Sequence, residues 1–115
     1  MGIQIFGTKK CSATRKAERF FKERGVKYQF IDLKEKELSS GEFDSVKQSA
    51  GGIDAMIDEN AKDKQTLTLM KYLLDSDKEE KLFENQQLLR TPIVRSGKKA
   101  VIGEAPGAWA DFLDK

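Results

Sequence analysis

The chain has 115 residues, a length that suits one compact domain and leaves no material for a second hydrophobic core. Apolar residues make up 38% of the sequence and charged residues 35%, and 21 Lys and Arg against 19 Asp and Glu give a net charge of +2. A charge this small provides no strong field for attracting nucleic acid or an anionic membrane, so neither is expected as a partner.

The first third of the chain predicts a strand, a helix and a second strand. The apolar run 3–6, closed by Gly7, and the alternating residues 26–33 are typical of strands. Between them, Ala13, Ala17 and Phe21 share one helical face, and Gly25 is expected to end that helix. A strand–helix–strand unit of about 30 residues favours a right-handed parallel crossover.

The sequence pattern of residues 36–87 indicates a helical insert without strands. Capping boxes are expected at residues 39–42 and 76–79, each opening a helix, and Gly51 is expected to end the first. A further helix is expected to hold Leu67, Met70, Leu73 and Leu74 on one face. The charged run 78–81 is expected to be a solvated surface.

The last part of the chain predicts an antiparallel hairpin over residues 93–102 and a final helix that begins near Pro106. Trp109, Phe112 and Leu113 are expected in the core. The predicted order is β-α-β, helical insert, β-β-α, an α/β arrangement with a mixed four-stranded sheet, as in the thioredoxin-like fold. We expect a single domain, with residues 1–35 and 88–115 as its thioredoxin-like part and 36–87 as the insert.

One cysteine and no histidine exclude an internal disulfide, a structural zinc cluster, a Cys-His dyad and a Ser-His-Asp triad. No apolar run approaches the roughly 18–20 residues of a membrane span, and the first residues lack the pattern of a secretion signal. We therefore expect a cytoplasmic protein whose chemistry depends on Cys11.

Cys11 is the candidate nucleophile. It follows the first predicted strand in a polar loop, and with Ser12 as the expected N-cap its sulfur would lie beside unpaired backbone N–H groups. Positive charge from Lys10 and Arg15 and a hydrogen bond from the Thr14 hydroxyl would each favour the thiolate. The alternative is an inert buried cysteine, but such a residue is expected within a periodic apolar stripe.

Thr91 and Pro92 form the second candidate element of the site. In the thioredoxin-like arrangement a cis-proline heads the third strand, close to the cysteine at the start of the helix, and Pro92 has that position. The backbone of Thr91 would then face Cys11 and bind an extended thiol such as glutathione by strand-like hydrogen bonds. The alternative is a proline that only opens a strand.

The whole chain resembles the ArsC/Spx/YffB family in the segments IFGTKKCSATRKAERFF, VKYQFIDLKEKELSSGEF and LLRTPIVRSGKKAVIGEAPGAW. This family includes glutaredoxin-coupled arsenate reductases, Spx transcriptional regulators and small thiol proteins, and the segment GTKKC resembles its YffB-like branch. The resemblance implies a thioredoxin-like fold, no bound cofactor, and glutathione or glutaredoxin as the thiol partner.

The arsenate reductases of this family use one cysteine in a C-x-x-[ST]-R context, which Cys11, Thr14 and Arg15 match. They also hold the oxyanion with arginines from the insert and the third strand, and residues 55–60 contain none. Arg90 lies one place from the position before the proline, which Thr91 occupies here. Because a bidentate arginine strengthens oxyanion binding, arsenate reduction is an alternative rather than the expected activity.

The Spx regulators bind the RNA polymerase alpha subunit through a surface that includes a glycine, for which Gly52 is the nearest match. They usually carry a Cys-x-x-Cys switch, and Thr14 at the second position excludes an intramolecular disulfide here. A non-enzymatic regulator is therefore an alternative to the predicted activity, a monothiol oxidoreductase coupled to glutathione or glutaredoxin. The residues predicted for its site are Cys11 as nucleophile with Lys10, Ser12, Thr14, Arg15, Arg90, Thr91 and Pro92 around it.

Overall fold

The computed structural model describes residues 2–113, which form a four-stranded sheet and five α-helices. The strands are β1 (Ile3–Gly7), β2 (Tyr28–Asp32), β3 (Ile93–Ser96) and β4 (Lys99–Ile102). The helices are α1 (Ser12–Glu23), α2 (Ser40–Ala50), α3 (Lys64–Met70), α4 (Asp75–Glu84) and α5 (Pro106–Asp111), with 3₁₀ turns at Asp54–Met56 and Gln86–Leu88. The predicted element order is confirmed.

The sheet has the order β2-β1-β3-β4 and is mixed. Strand β1 is central: it pairs in parallel with β2, with Ile5 opposite Phe30, and antiparallel with β3, with Ile5 opposite Val94. Strands β3 and β4 form the predicted antiparallel hairpin. The α/β class and the mixed four-stranded sheet are therefore as predicted.

The sheet separates two hydrophobic clusters because side chains alternate between its faces. Ile5 belongs to the cluster that α1 and α5 cover, together with Phe21 and Trp109, which is 1% exposed. Phe6 belongs to the larger cluster, which the insert covers. The prediction that Trp109 and Phe112 pack in the core is confirmed, and Leu113 packs against the same cluster while remaining half-buried.

Three helix termini follow the sequence signals. Ser39 caps α2 with the predicted capping box: its hydroxyl accepts from Glu42 N at 3.2 Å, and the Glu42 carboxylate accepts from Ser39 N at 2.9 Å. Gly51 then ends α2 in the left-handed conformation, with φ of 84°. After α1, Gly25 has φ of 69°, and the N–H of the next residue reaches back to Phe21 O at 2.9 Å, which closes the helix.

The predicted ends of α3 and α4 are wrong. Helix α4 begins at Asp75, one residue before the expected capping serine, and its N-cap Leu74 makes no capping hydrogen bond with its side chain. Helix α3 ends at Met70, so Leu73 and Leu74 lie beyond it. The chain turns there, with Leu73 N bonded to Met70 O at 3.2 Å, although the apolar spacing continues through the turn.

The charged run 78–81 is not simply a solvated surface. Lys78 Nζ lies 3.4 Å from an Asp54 carboxylate oxygen, and Glu79 lies 2.9 Å from Lys47 Nζ. These pairs connect α4 to α2 and to the first 3₁₀ turn. Glu80 is exposed, so only part of the prediction holds.

The insert is bonded to the strand-forming part of the chain just before β3. Arg90 N donates to Met56 O and Asp58 N donates to Leu88 O, each at 2.8 Å. The side-chain amide of Gln86 is buried and bonds both backbone groups of Leu38, at 2.7 and 3.0 Å. None of the helices described between residues 2 and 113 is long and apolar enough to cross a membrane.

Candidate active site around Cys11

Cys11 is the N-cap of α1, immediately after the loop that follows β1. Its backbone is extended, with φ of −79° and ψ of 116°, and its carbonyl accepts the first helical hydrogen bond from Arg15 N at 3.1 Å. The expectation that Ser12 caps the helix is therefore wrong by one residue. A turn in which Cys11 N bonds to Thr8 O at 3.2 Å sets this start, and Ser12 becomes the exposed first helical residue.

Thr91 lies directly against the Cys11 sulfur. Its hydroxyl donates to Cys11 Sγ at 3.1 Å, and its carbonyl oxygen lies 3.8 Å from the same sulfur. The predicted cis peptide bond between Thr91 and Pro92 is present, and Pro92 is buried behind it. The sequence-based hypothesis used only the backbone of Thr91, so the contact of its hydroxyl with the sulfur was missed.

Thr14 lies on the first turn of α1 and is fully buried. Among the described residues, its hydroxyl makes no hydrogen bond with both a suitable distance and a suitable angle. The hydroxyl is nevertheless close enough to Cys11 to lower the pKa of the thiol. Gly7 makes room for this side chain, because a Cβ at Gly7 would lie only 2.6 Å from Thr14 Cγ2. The end of β1 and the start of α1 thus approach each other closely.

The environment of Cys11 favours the thiolate. Burial raises the pKa of the thiol, but hydrogen bonds from the side chains of Thr14 and Thr91 and from the backbone of Thr14 and Ala13 outweigh this effect, so the pKa is lowered overall. Lys10 and Arg15 are exposed, and their charges are not among the causes of the lowering. Hydrogen bonding, rather than the predicted positive charge, therefore stabilises the ionised sulfur.

Cys11 and Thr91 line a groove of about 770 Å³ between the strand-forming part and the insert. We call it the Cys11 groove. Loop residues after β2 and the insert segment 58–63 form much of its wall. Its charged lining residues are three lysines, Lys10, Lys34 and Lys62, and four carboxylates, Glu35, Glu37, Asp58 and Asp63. Because charges of both signs line it, the groove suits a zwitterionic peptide better than a polyanion.

The groove brings together only some of the predicted site residues. Lys10, Cys11 and Thr91 line it, with Thr14 and Pro92 buried nearby. The wall residues from the insert were missed, because no local pattern in the sequence indicates which segments meet across a groove.

Among the described residues, the groove lining does not include Ser12, Arg15 or Arg90. The Arg90 guanidinium instead donates to Ala55 O at 3.1 Å and lies over Gly103, where a Cβ would be 2.7 Å from its Nη2. Within residues 2–113, no group of three His, Cys, Asp or Glu side chains is arranged to hold a metal ion.

The sequence profile of the ArsC family matches residues 6–112. The chain belongs to the ArsC family. Global transcriptional regulator Spx 2 from Oceanobacillus iheyensis is 30% identical over 117 residues, which cover 100% of this chain and 86% of that relative. The family resemblance predicted from the sequence is confirmed.

Solved structures share the fold of this ArsC family protein. An arsenate reductase from Vibrio cholerae superposes with a TM-score of 0.82 at 24% identity, covering 96% of this chain and 97% of that one. An arsenate reductase related protein from Brucella melitensis superposes with a TM-score of 0.68 at 16% identity, covering 100% of this chain and 97% of that one. These similarities confirm the predicted thioredoxin-like fold.

Proposed function

We propose that this ArsC family protein is a monothiol oxidoreductase that exchanges disulfides through Cys11, with glutathione as co-substrate or glutaredoxin as protein partner. The observation that supports it is the position of Cys11: its sulfur lines an open groove, next to the cis peptide bond, and accepts a hydrogen bond from Thr91. An accessible thiol of lowered pKa is the reactive kind. Since glutathione stays reduced in the cytoplasm, that is the proposed location.

The proposed reaction has two exchange steps. The Cys11 thiolate attacks the glutathione sulfur of a mixed disulfide, forms a new S–S bond, and releases the substrate thiolate, which takes a proton from water. A second glutathione thiolate then attacks the glutathione sulfur bound to Cys11, which yields glutathione disulfide and the free Cys11 thiolate. The two electrons come from glutathione, so this scheme needs no bound cofactor.

The charges of the Cys11 groove support glutathione as co-substrate. Glutathione has two carboxylates and one ammonium group, and the groove offers lysines and carboxylates to pair with them. The backbone of Thr91, which lines the groove, would bind the extended peptide beside Cys11. Arsenate fits less well, because four carboxylates line the groove, whereas none of the arginines between residues 2 and 113 lines it.

A partner-binding regulator is the second candidate, and the full-length similarity to Spx 2 favours it. The proposed partner is the RNA polymerase alpha subunit. Gly52 would contribute to its binding surface; it has φ of 138° and lines a smaller cavity of about 380 Å³ on the insert. In this candidate Cys11 senses oxidants by glutathionylation or has no role.

The test is turnover of a glutathione mixed disulfide, and separately of arsenate, by the wild type and by Cys11→Ser, with glutathione and glutaredoxin supplied. Ser76→Ala, in the exposed first turn of α4 and outside the Cys11 groove, is the control for turnover. We expect the wild type and the control to turn over the mixed disulfide at equal rates and Cys11→Ser to fall to background. Equal rates for wild type and Cys11→Ser would remove the catalytic proposal, and binding of the polymerase alpha subunit without turnover would favour the regulator.

A further inference from the structure

We propose that the hydroxyl groups of Thr91 and Thr14 make Cys11 a good leaving group, so that its mixed disulfide with glutathione is a short-lived intermediate. This inference rests on the proposed function and deepens it. A cysteine that is easily released transfers glutathione, whereas one that holds glutathione firmly stores the oxidised state.

The first observation is the contact between Thr91 and the sulfur. Thr91 Oγ1 donates to Cys11 Sγ at 3.1 Å, from a segment 80 residues away along the chain. A hydrogen bond to an ionised acceptor is about twice as strong as one to a neutral acceptor. The sulfur is charged in the thiolate and uncharged in the disulfide, so Thr91 stabilises the thiolate more than the mixed disulfide.

The second observation comes from a different element. Thr14 is fully buried on α1, and among the described residues its hydroxyl makes no hydrogen bond with a suitable distance and angle. A buried hydroxyl without a partner is costly, and its cost is relieved when a strong acceptor forms beside it. Thr14 Oγ1 is the atom nearest to where a Cβ on Gly7 would lie, so the hydroxyl is enclosed between β1 and the first turn of α1. A negative charge on Cys11 Sγ supplies the acceptor that this hydroxyl lacks.

The step on which both hydroxyls act is the release of Cys11. An incoming glutathione thiolate attacks the glutathione sulfur of the mixed disulfide, and the S–S bond to Cys11 breaks with its electron pair moving to Sγ. The incoming sulfur is oxidised to the disulfide, Cys11 is reduced, and no proton is transferred. Hydrogen bonds that strengthen as charge develops on Sγ lower the barrier for this step.

Other charges face Cys11 across the groove, but they differ in sign. Lys10 precedes Cys11 in its own loop, Lys34, Glu35 and Glu37 follow β2, and Asp58, Lys62 and Asp63 belong to the insert. None of these charges is among the causes that shift the pKa of Cys11. The Thr91 hydroxyl contacts the sulfur itself, so removing it isolates the proposed effect.

The test compares Thr91→Val, which removes the hydroxyl but keeps the branched shape, with Thr91→Ser, which keeps the hydroxyl. Each variant is equilibrated in mixtures of reduced and oxidised glutathione between pH 6 and 9, and the glutathionylated fraction is measured by mass spectrometry. Above the Cys11 pKa, Thr91→Val should shift the equilibrium toward the mixed disulfide by about fivefold. The shift should shrink as the pH falls through that pKa, and Thr91→Ser should resemble the wild type.

A folded Thr91→Val protein with the wild-type equilibrium at every pH would overturn the role of Thr91. A shift of equal size in both Thr91 variants and at every pH would do the same, since it would reflect packing. If Thr91→Val does not fold, Thr14→Val against Thr14→Ser repeats the test with the same expectation. A wild type that never exchanges with glutathione would overturn the proposed function instead.

Discussion

Gly7, at the end of β1, lies against the side chain of Thr14, the buried threonine on the first turn of α1. Its backbone is not in the left-handed region, so Gly7→Ala would be tolerated by the backbone, but the added methyl group would overlap Thr14. We expect the free energy of unfolding to fall by about 1–3 kcal/mol, as for other overpacked sites. Urea unfolding measures this change.

Gly2→Ala is the matched control for Gly7→Ala, because a Cβ at Gly2 would have no atom within 4 Å. Its free energy of unfolding should stay within about 0.5 kcal/mol of the wild type. A Gly7→Ala protein as stable as this control would contradict the close packing of Gly7 on Thr14.

Some site residues could be predicted from the sequence because their signals are local. Cys11 follows a strand in a polar loop, and Pro92 opens a strand, so both positions could be inferred from neighbouring residues. The Thr91 hydroxyl could not, because its contact with the sulfur joins residues 80 apart in the sequence. The N-cap was misplaced because serine is the better capping residue, whereas the turn from Thr8 decides where α1 begins.

The two serines that open predicted helices provide a test at the scale of elements. Ser39→Ala removes a capping hydrogen bond and should lower the free energy of unfolding by about 1 kcal/mol. Ser76→Ala should change it by less than about 0.5 kcal/mol, because Ser76 lies inside the exposed first turn of α4 and caps nothing there. Urea unfolding of both variants measures the difference, and equal losses would contradict the assigned start of α4.

Helix periodicity indicated that the insert is helical but not where its helices end. The apolar spacing from Leu67 through Leu74 is continuous, yet α3 stops at Met70. Leu74, expected on the apolar face, is 75% exposed, whereas Leu73 is half-buried and packs against the larger core cluster. Where a helix ends depends on capping and on contacts with the rest of the fold, which periodicity does not report.

At the scale of the whole molecule, the Cys11 groove exists because two parts of the chain meet. Backbone bonds between residues 56–58 and 88–90 fix the insert beside the segment that leads into β3. Asp58 and Lys62 thereby face Cys11 across the groove. The element order could be predicted because each element has a local signal, whereas this wall depends on contacts made only in the folded chain.

The central claim is that Cys11 is an accessible, stabilised thiolate, and the most direct test is the pH dependence of its alkylation by iodoacetamide. Cys11 is the sole cysteine, so the signal belongs to it alone, and the protein unfolded in urea is the control. A lowered pKa keeps the thiolate present to lower pH, so the folded protein should react with a midpoint below that of the unfolded chain. A midpoint at or above the unfolded value, or no reaction until the protein unfolds, would contradict the account.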